Sequence, residues 1–250
     1  MRRAEAEALA LGLLHGPVEL VPVSSSGHVA ALPWLLGWEL AGRDGARRKQ
    51  LEVALHAGTA AALLIVLRPG RLRPGLLAAA VLPPALAGLA LERQIEERLG
   101  TPATLAAGLL AGGGALVLTD RVPATRAAAD AGVRDGLWLG LAQAAALVPG
   151  VSRSGATLAA ARARGFGRAD ASRLSWEVAL PVLVGASGLK ASRGFGADPV
   201  LALGAGAAFV STLATARAIG IERRRPLWPW AAWRAGLAAA ILAVRQNRRR

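Results

Sequence analysis

The stretch from His15 to His28, the first motif, carries more reactive side chains than the apolar sequence around it. Between its two histidines lie a single carboxylate, Glu19, and three consecutive serines. An acid in an apolar segment is unfavourable unless it faces a cavity, a metal or a partner, so Glu19 is a functional candidate. His28 lies three residues after Ser25, which places an imidazole and a hydroxyl on one helix face for proton transfer. The alternatives are an interfacial acid and a histidine that only satisfies the fold.

A second motif, Pro149–Thr157, contains an arginine bracketed by serines and glycines. The guanidinium of Arg153 presents a fixed fork of donors, and the hydroxyls and amides around it complete a geometry that suits phosphate. The alternative is an arginine that extends from a helix end toward water. Together the motifs favour phosphoryl transfer, with a hydroxyl or water to attack, an arginine to hold charge, and an acid and a histidine for protons or a metal.

The two motifs align with each other when the sequence is shifted by 128 residues, and Arg153 then takes the position of Ser25. We interpret this as an internal duplication, with one membrane domain over residues 1–250 built from repeats of about 1–125 and 126–250. Chance matching in a chain rich in alanine and leucine is the alternative. Packing of the halves about a pseudo-twofold axis would bring the hydroxyl and the guanidinium face to face. The matched pairs are Val23-Ser24 with Val151-Ser152, and Ser26-Gly27 with Ser154-Gly155.

Composition indicates a membrane protein. Hydrophobic residues make up 54% of the 250 residues, and the mean hydropathy is +0.40, whereas a soluble domain is about 45–50% apolar. The absence of cysteine excludes disulfides and a thiolate metal site. The net charge of +14 comes from short basic clusters between apolar runs, which favours membrane-flanking arginines over a nucleic-acid surface. Basic clusters that favour the cytoplasmic side lie at 43–49, 68–73, 222–225 and 245–250.

The apolar runs are mostly near the lower end of the ~17–25 residues that a spanning helix needs, and several are shorter. Short segments interrupted by glycine or proline are typical of broken or re-entrant helices, and we predict this class for residues 17–36 and 150–164. Pro17 and Pro22 lack a backbone donor and Gly27 allows positive φ, so we expect the first helix to break there and leave amides that attract anions. The predicted fold class is an all-α, polytopic bundle in the membrane.

Both motifs resemble the signatures of a known family, the undecaprenyl-diphosphate phosphatases of the bacitracin-resistance type. The first signature is an acid-rich stretch that runs into Pro-Val-Ser-Ser-(Ser/Thr)-Gly-His, and residues 19–28 are similar to it. The second is Pro-Gly-x-Ser-Arg-Ser-Gly-Ala-Thr, which the second motif matches in full. The similarity spans most of the chain in order, since it extends to Glu52-Val53, Gly58, Gln143 and Pro181–Leu189.

The resemblance implies an integral membrane enzyme with inverted internal repeats and two re-entrant helical hairpins. Such an enzyme removes the terminal phosphate of undecaprenyl diphosphate and thereby recycles the lipid carrier of cell-wall synthesis in the bacterial plasma (inner) membrane. A divalent cation, Mg²⁺ or Ca²⁺, is the implied cofactor. The implied partners are a polyprenyl diphosphate lipid and the membrane, without nucleic acid, and a homodimer is one option for the oligomeric state.

The resemblance also implies a role for each site residue. Glu19 would support a metal or proton transfer, Ser25 would be the nucleophile, and His28 would be its acid and base. Arg153 would clamp the phosphate. Whether a serine or a water attacks is left open. The substrate pocket would be lined by Ser24, Ser26, Gly27, Ser152, Ser154, Gly155 and Thr157.

Two positions depart from the family pattern. His15 stands four residues before Glu19, where the family usually has an acid or a glutamine, and His56 stands where glutamine is common. Residues four apart share a helix face, so His15 and Glu19 form the predicted metal pair. Because imidazole favours transition ions over Mg²⁺ or Ca²⁺, the metal preference stays open.

Two other functions compete with lipid diphosphate hydrolysis. A transporter or flippase for a polyprenyl phosphate would also use broken helices around an anion site. A non-catalytic paralogue that binds lipid diphosphate is the other alternative, with His15 as the change that removed activity.

Overall fold

The computed structural model describes residues 1–67, 73–191 and 198–248. Within these ranges the backbone is largely helical, and an isolated β-bridge joins Arg126 to Phe166. Most of the basic cluster 68–73, and the last two residues of the cluster 245–250, lie outside the described residues. The α-helices are α1 Arg3–Glu19, α2 Ser25–Leu36, α3 Gly45–Val66, α4 Pro74–Leu99, α5 Pro102–Asp120, α6 Val133–Ala145, α7 Arg153–Ala163, α8 Arg168–Ala191, α9 Pro199–Thr215 and α10 Trp228–Asn247.

Four helical segments among the described residues are long and apolar enough to cross a membrane. They carry exposed apolar side chains such as Ile65, Leu89 and Leu118, which match a hydrocarbon environment better than water. The prediction of an all-α polytopic membrane protein is confirmed, whereas the inverted repeats and the re-entrant hairpins stay predictions. The four segments are Gly45–Val66, Pro74–Leu91, Pro102–Asp120 and Pro199–Arg223.

Helix α1 extends further than its prolines predict. It continues through Pro17 and ends at Glu19, so the predicted break of the first helix lies within the first motif, but after Pro17. The non-helical segment begins after Glu19 and contains Pro22. Packing accounts for the difference, because a Cβ on Gly16 would lie only 2.5 Å from the Thr212 amide nitrogen. Contact with the α9 backbone thus supports the helical turn that contains the proline.

The chain forms two compact units, and each unit takes helices from both halves of the sequence. Unit 1 contains α1, most of α2, α3, the end of α8, and α9. Unit 2 contains α4 to α7, the start of α8, and α10, together with the serine turn of the first motif. The bounds are Met1–Leu20, His28–Pro69 and Leu180–Ile219 for unit 1, and Val21–Gly27, Gly70–Ala179 and Gly220–Arg250 for unit 2.

In unit 1, α9 packs against both α1 and α3. Glycines allow these helices to approach closely, as small residues do between membrane helices. A Cβ on Gly12 would lie 2.6 Å from the Ala207 Cβ, and a Cβ on Gly58 would lie 2.9 Å from the Ala205 carbonyl carbon. This close packing brings polar side chains on the three helices into contact, as described below.

In unit 2, α4 packs against α6, and α5 packs against both α7 and α10. Leu76 and Leu139 belong to its buried apolar core. A buried carboxylate, Asp135, fixes the start of α6, because it accepts hydrogen bonds from Arg126 Nη1 at 2.8 Å and from Arg164 Nε at 2.9 Å. The helices that carry the second motif are therefore anchored by both apolar packing and ion pairs.

Candidate active site

Two serine turns with positive φ precede α2 and α7. Ser24 and Ser152 have φ of 75° and 70°, the left-handed region that residues other than glycine rarely adopt. The Ser24 Oγ accepts the Gly27 N–H at 3.2 Å, and the Ser152 Oγ accepts the Gly155 N–H at 3.2 Å. The expectation that positive φ falls on Gly27 was wrong, because α2 has already begun at Ser25. Strained residues of this kind cluster at functional sites.

Each serine turn leads into the start of a helix. The N–H groups of the first turn of a helix have no partner within the helix, and the helix dipole adds positive potential there. Such helix starts bind phosphate and other anions. The first residue of α2 is Ser25, and the first residue of α7 is Arg153. The two helix starts therefore differ in the side chain they present, a hydroxyl in one and a guanidinium in the other.

Both serine turns pack against the same turn of α5 within unit 2. A Cβ on Gly27 would lie 3.3 Å from Leu109 Cδ2, and a Cβ on Gly150 would lie 2.8 Å from the Leu109 amide nitrogen. Gly108 lies directly against the Pro149 carbonyl oxygen. Two adjacent residues of α5 thus contact the serine turn of the first motif and the turn of the second motif.

The arginine of the second motif lies beside an aromatic ring. The Arg153 Cζ is 5.4 Å from the centroid of the Trp176 ring, a distance at which a cation–π contact forms. Thr157 is fully buried, and its Oγ1 donates to the Arg153 carbonyl oxygen at 2.9 Å and lies 2.5 Å from the Ser175 Oγ. The Thr157 hydroxyl therefore joins α7 to α8 and supports the turn that carries Arg153.

A second guanidinium, that of Arg234 in α10, holds the second motif and was missed by the sequence analysis. Its side chain is fully buried, and Nη2 donates to the Gly150 carbonyl oxygen at 2.8 Å and to the Val151 carbonyl oxygen at 2.5 Å. A Cβ on Gly155 would lie 2.7 Å from Arg234 Nη1. The available signal was a charged residue in the otherwise uncharged stretch 230–244.

In unit 1, the predicted metal pair of α1 meets a third donor from α3. One ligand atom from each of His15, Glu19 and His56 lies within 4.8 Å of the others. His56 Nε2 is 3.8 Å from Glu19 Oε2, and the two imidazole centroids are 4.5 Å apart. Sequence spacing does not place His56 here, because it lies on a different helix. We call these three residues the histidine cluster.

The ligand atoms of the histidine cluster determine which cations it can bind. Mg²⁺ and Ca²⁺ prefer oxygen ligands, whereas two of the three side chains here offer imidazole nitrogen. His15 Nε2 is buried and has no hydrogen-bond partner among the described residues. Imidazole ligands favour transition ions, and the expectation of Mg²⁺ or Ca²⁺ stays a prediction.

All residues of the predicted site lie within the described ranges. His15, Glu19 and His28 belong to unit 1, whereas the serine turns and Arg153 belong to unit 2. Ser26, Arg153 and Ser154 are half-buried. The buried members are His15, Glu19, Ser24, Ser25, Gly27, His28, Ser152, Gly155 and Thr157.

Comparison with known proteins adds an independent observation. A family model described as bacitracin resistance protein BacA matches residues 8–240. The chain is similar to the undecaprenyl-diphosphatase of Geobacter sulfurreducens, with 36% identity over 94% of this chain and 96% of that protein. It is also similar to the undecaprenyl-diphosphatases of Trichlorobacter lovleyi and Acidiphilium cryptum, each with 34% identity over 95% of this chain and 96% of the relative.

Proposed function

The chain belongs to the bacitracin resistance protein BacA family, and from this membership we propose that it is a membrane-bound undecaprenyl-diphosphatase. Its relatives of that name match it along nearly its whole length. The enzyme hydrolyses undecaprenyl diphosphate to undecaprenyl phosphate and inorganic phosphate. This reaction recycles a lipid carrier of cell-wall synthesis, and the location that we propose for the protein is the bacterial plasma membrane.

Hydrolysis breaks the bond between the terminal phosphorus and the oxygen that bridges the two phosphates. We assign the attack on the terminal phosphorus to the Ser25 Oγ, with undecaprenyl phosphate as the leaving group. Water then attacks the phosphoserine, which releases inorganic phosphate and restores the hydroxyl. His28 follows Ser25 by three residues on α2, and its imidazole accepts the hydroxyl proton and returns a proton in the second step.

The diphosphate carries negative charge that has to be held while the bond breaks. Arg153 offers a planar fork of N–H donors, which matches two oxygens of a phosphate group. The helix starts at Ser25 and Arg153 add backbone amides and positive dipole potential. Groups that are already oriented toward developing charge make the largest contribution in reactions of this type.

The observation that carries the proposal is the matched pair of serine turns on α5. Turns at Ser24 and Ser152 both have positive φ and the same cap, and the first lies against Leu109 whereas the second lies against Gly108 and Leu109. One turn leads to a hydroxyl and the other leads to a guanidinium. This pairing on one helix of unit 2 supports our assignment of Ser25 as the nucleophile and Arg153 as the phosphate clamp.

Phosphate release tests the proposal directly. The purified protein in detergent should release inorganic phosphate from undecaprenyl diphosphate, and Ser25→Ala should abolish release while substrate still binds. Failure of folded wild-type protein to release phosphate across several divalent ions would contradict it. Movement of a polyprenyl phosphate across vesicles without phosphate release would identify a transporter instead.

A further inference from the structure

The histidine cluster of unit 1 brings three potential metal ligands together. His15, Glu19 and His56 converge within 4.8 Å, and His15 is fully buried. The buried His15 Nε2 has no hydrogen-bond partner among the described residues. A buried polar atom of this kind is rare, because it has lost its hydration without gaining a bond. The position of the hydrogen on each imidazole ring determines which nitrogen carries the lone pair.

The protonation of His56 follows from its contact with the main chain. His56 Nδ1 lies 2.8 Å from the Glu52 carbonyl oxygen, one helical turn earlier on α3. A carbonyl oxygen only accepts, so Nδ1 carries the hydrogen. In the neutral ring this leaves a lone pair on Nε2, the atom that lies 3.8 Å from Glu19 Oε2. His56 therefore presents an acceptor to a carboxylate.

The protonation of His15 follows from a chain of hydroxyls. His15 Nδ1 lies 2.9 Å from Thr59 Oγ1, and Thr59 Oγ1 lies 3.1 Å from Thr212 Oγ1. The chain ends where Thr212 Oγ1 meets the Ala208 carbonyl oxygen at 2.6 Å. Thr212 Oγ1 is the donor to both oxygens, so Thr59 Oγ1 accepts the hydrogen bond from Thr212. The Thr59 oxygen has a second lone pair, which accepts from His15 Nδ1–H in the tautomer that leaves the lone pair of His15 on Nε2.

In these tautomers two imidazole lone pairs and a carboxylate oxygen lie within 4.8 Å of one another. Metal-binding histidines commonly donate their other ring N–H to a carbonyl or another partner, which fixes the ring and its tautomer. Both histidines here have that arrangement, through Glu52 in one case and through Thr59 and Thr212 in the other. The donor set of two imidazoles and one carboxylate is that of Zn²⁺ and related transition ions.

We propose that His15, His56 and Glu19 form a transition-metal site of the Zn²⁺ class, and that Thr59 and Thr212 orient His15 for it. The proposal identifies the cation that the phosphatase would use, and in that respect it rests on the proposed function. Its test measures metal binding alone, so either proposal can fail while the other stands.

Metal binding can be measured on the full-length protein in detergent after removal of bound metal. Co²⁺ serves as a coloured probe, and Zn²⁺ and Mg²⁺ serve as competitors. We expect one Co²⁺ per chain with visible absorption of a nitrogen-containing site, displacement by equimolar Zn²⁺, and no displacement by a hundredfold excess of Mg²⁺. His28→Ala, which changes a histidine outside the cluster, should keep the stoichiometry. Displacement by Mg²⁺, or the absence of Co²⁺ binding, would overturn the site.

A matched pair of variants on α9 tests the role of the hydroxyl chain. Thr212→Val should weaken Co²⁺ binding by about 10–100-fold, the usual effect of removing a partner behind a metal ligand. Thr215 makes the same kind of bond to the carbonyl four residues earlier, that of Ser211 at 2.6 Å, so Thr215→Val is the control and should change binding less than twofold. Equal effects of the two variants would remove the orienting role.

A third variant tests the selectivity of the cluster. His15→Glu replaces an imidazole by a carboxylate, so the site should lose its preference for Zn²⁺ over Mg²⁺ by at least tenfold. Circular dichroism and gel filtration of each variant establish that it is folded. An unchanged ion preference in folded His15→Glu protein would show that His15 is not a ligand and would refute the proposal.

Discussion

Ser24 and Ser152 lie 128 residues apart in the sequence, yet they share a left-handed backbone conformation and cap the following helix with bonds of equal length. A side chain in this region of φ costs roughly 1–2 kcal/mol, whereas loss of the cap costs about 0.5–2 kcal/mol. The serine at each position therefore stabilises its turn through the bond it makes, and this offsets the cost of its positive φ.

The cap and the positive φ at Ser24 and Ser152 have opposing effects on stability, and they predict the relative stability of the glycine and alanine variants. Glycine removes the cap but relieves the backbone, and alanine removes the cap and keeps the strain. Ser152→Gly should therefore have a higher melting temperature in detergent than Ser152→Ala, and the Ser24 pair should follow the same order. A higher melting temperature for either alanine variant would contradict the assignment of positive φ.

Glu19 is predicted to affect phosphate release through its position in the histidine cluster. Glu19→Gln keeps the shape of the side chain and removes its charge, so we expect phosphate release to fall by about 10²-fold or more. Glu97 is the control, since it is exposed at the end of α4 and pairs only with Arg93 at 3.3 Å among the described residues. Comparable losses in Glu19→Gln and Glu97→Gln would place the site elsewhere.

Arg153 is predicted to hold the phosphate through its planar fork. Arg153→Lys keeps the charge but presents no paired donors, so phosphate release should fall by about 10²–10³-fold. The exposed Arg134 at the start of α6 provides a matched control, and Arg134→Lys should leave the rate within twofold. A rate for Arg153→Lys near that of wild type would exclude the phosphate clamp.

Substitution of two glycines of α5 distinguishes the effect of packing at the site from the effect of helix propensity. Gly108 lies against the Pro149 carbonyl oxygen, whereas a Cβ on Gly114 meets no atom within 4 Å. Gly108→Ala should displace the second motif and lower both the melting temperature and phosphate release. Gly114→Ala should leave activity unchanged and stabilise the helix by about 0.5–1 kcal/mol. Equal tolerance of both alanines would mean that the second motif does not pack on α5.

The hydrogen bonds to Asp135 predict that the protein loses stability at acidic pH. It lies outside the four candidate membrane spans, and its pKa is lowered, because hydrogen bonds from Arg126, Gly132 and Arg164 outweigh burial, which alone would raise it. A lowered pKa in the fold means that the carboxylate stabilises the protein above its ordinary pKa of 3.8 and that this contribution disappears as the pH falls through the folded pKa.

The measurement for Asp135 compares melting temperatures of wild type and Asp135→Asn in detergent across pH. We expect the largest difference at pH 6 to 7 and a shrinking difference below about pH 4, the ordinary range of an aspartate. Asp130→Asn changes an exposed carboxylate of the preceding loop and should show a smaller effect at every pH. A difference that grew toward acid would reverse the sign of the pKa shift.

Local sequence patterns predicted the helices and the motifs, but not the contacts between distant helices. The apolar runs indicated an all-α membrane protein, because hydrophobic length is read directly from the sequence. The break of the first helix within the first motif was predicted, but its position after Pro17 was not, because it depends on contact with α9. Arg234 was missed because its partners, the carbonyls of Gly150 and Val151, lie more than 80 residues away.

The histidine cluster also depends on contacts between helices that are distant in the sequence. The pair of His15 and Glu19 follows from helical spacing, since residues four apart share a face. The third donor, His56, depends on the packing of α3 beside α1, and the hydroxyl of Thr212 depends on α9. Only the folded arrangement reveals that both imidazoles are oriented by their other ring nitrogen.

Each unit combines helices from both halves of the sequence, and this affects when the protein can fold during synthesis. In unit 1 the first helix packs on α9, and in unit 2 the fourth helix packs on α6, so each waits for a partner that the ribosome synthesises later. After α1 has been synthesised, nearly two hundred residues remain to be translated before α9 covers its glycine face. Synthesis of both halves must therefore precede the assembly of either unit.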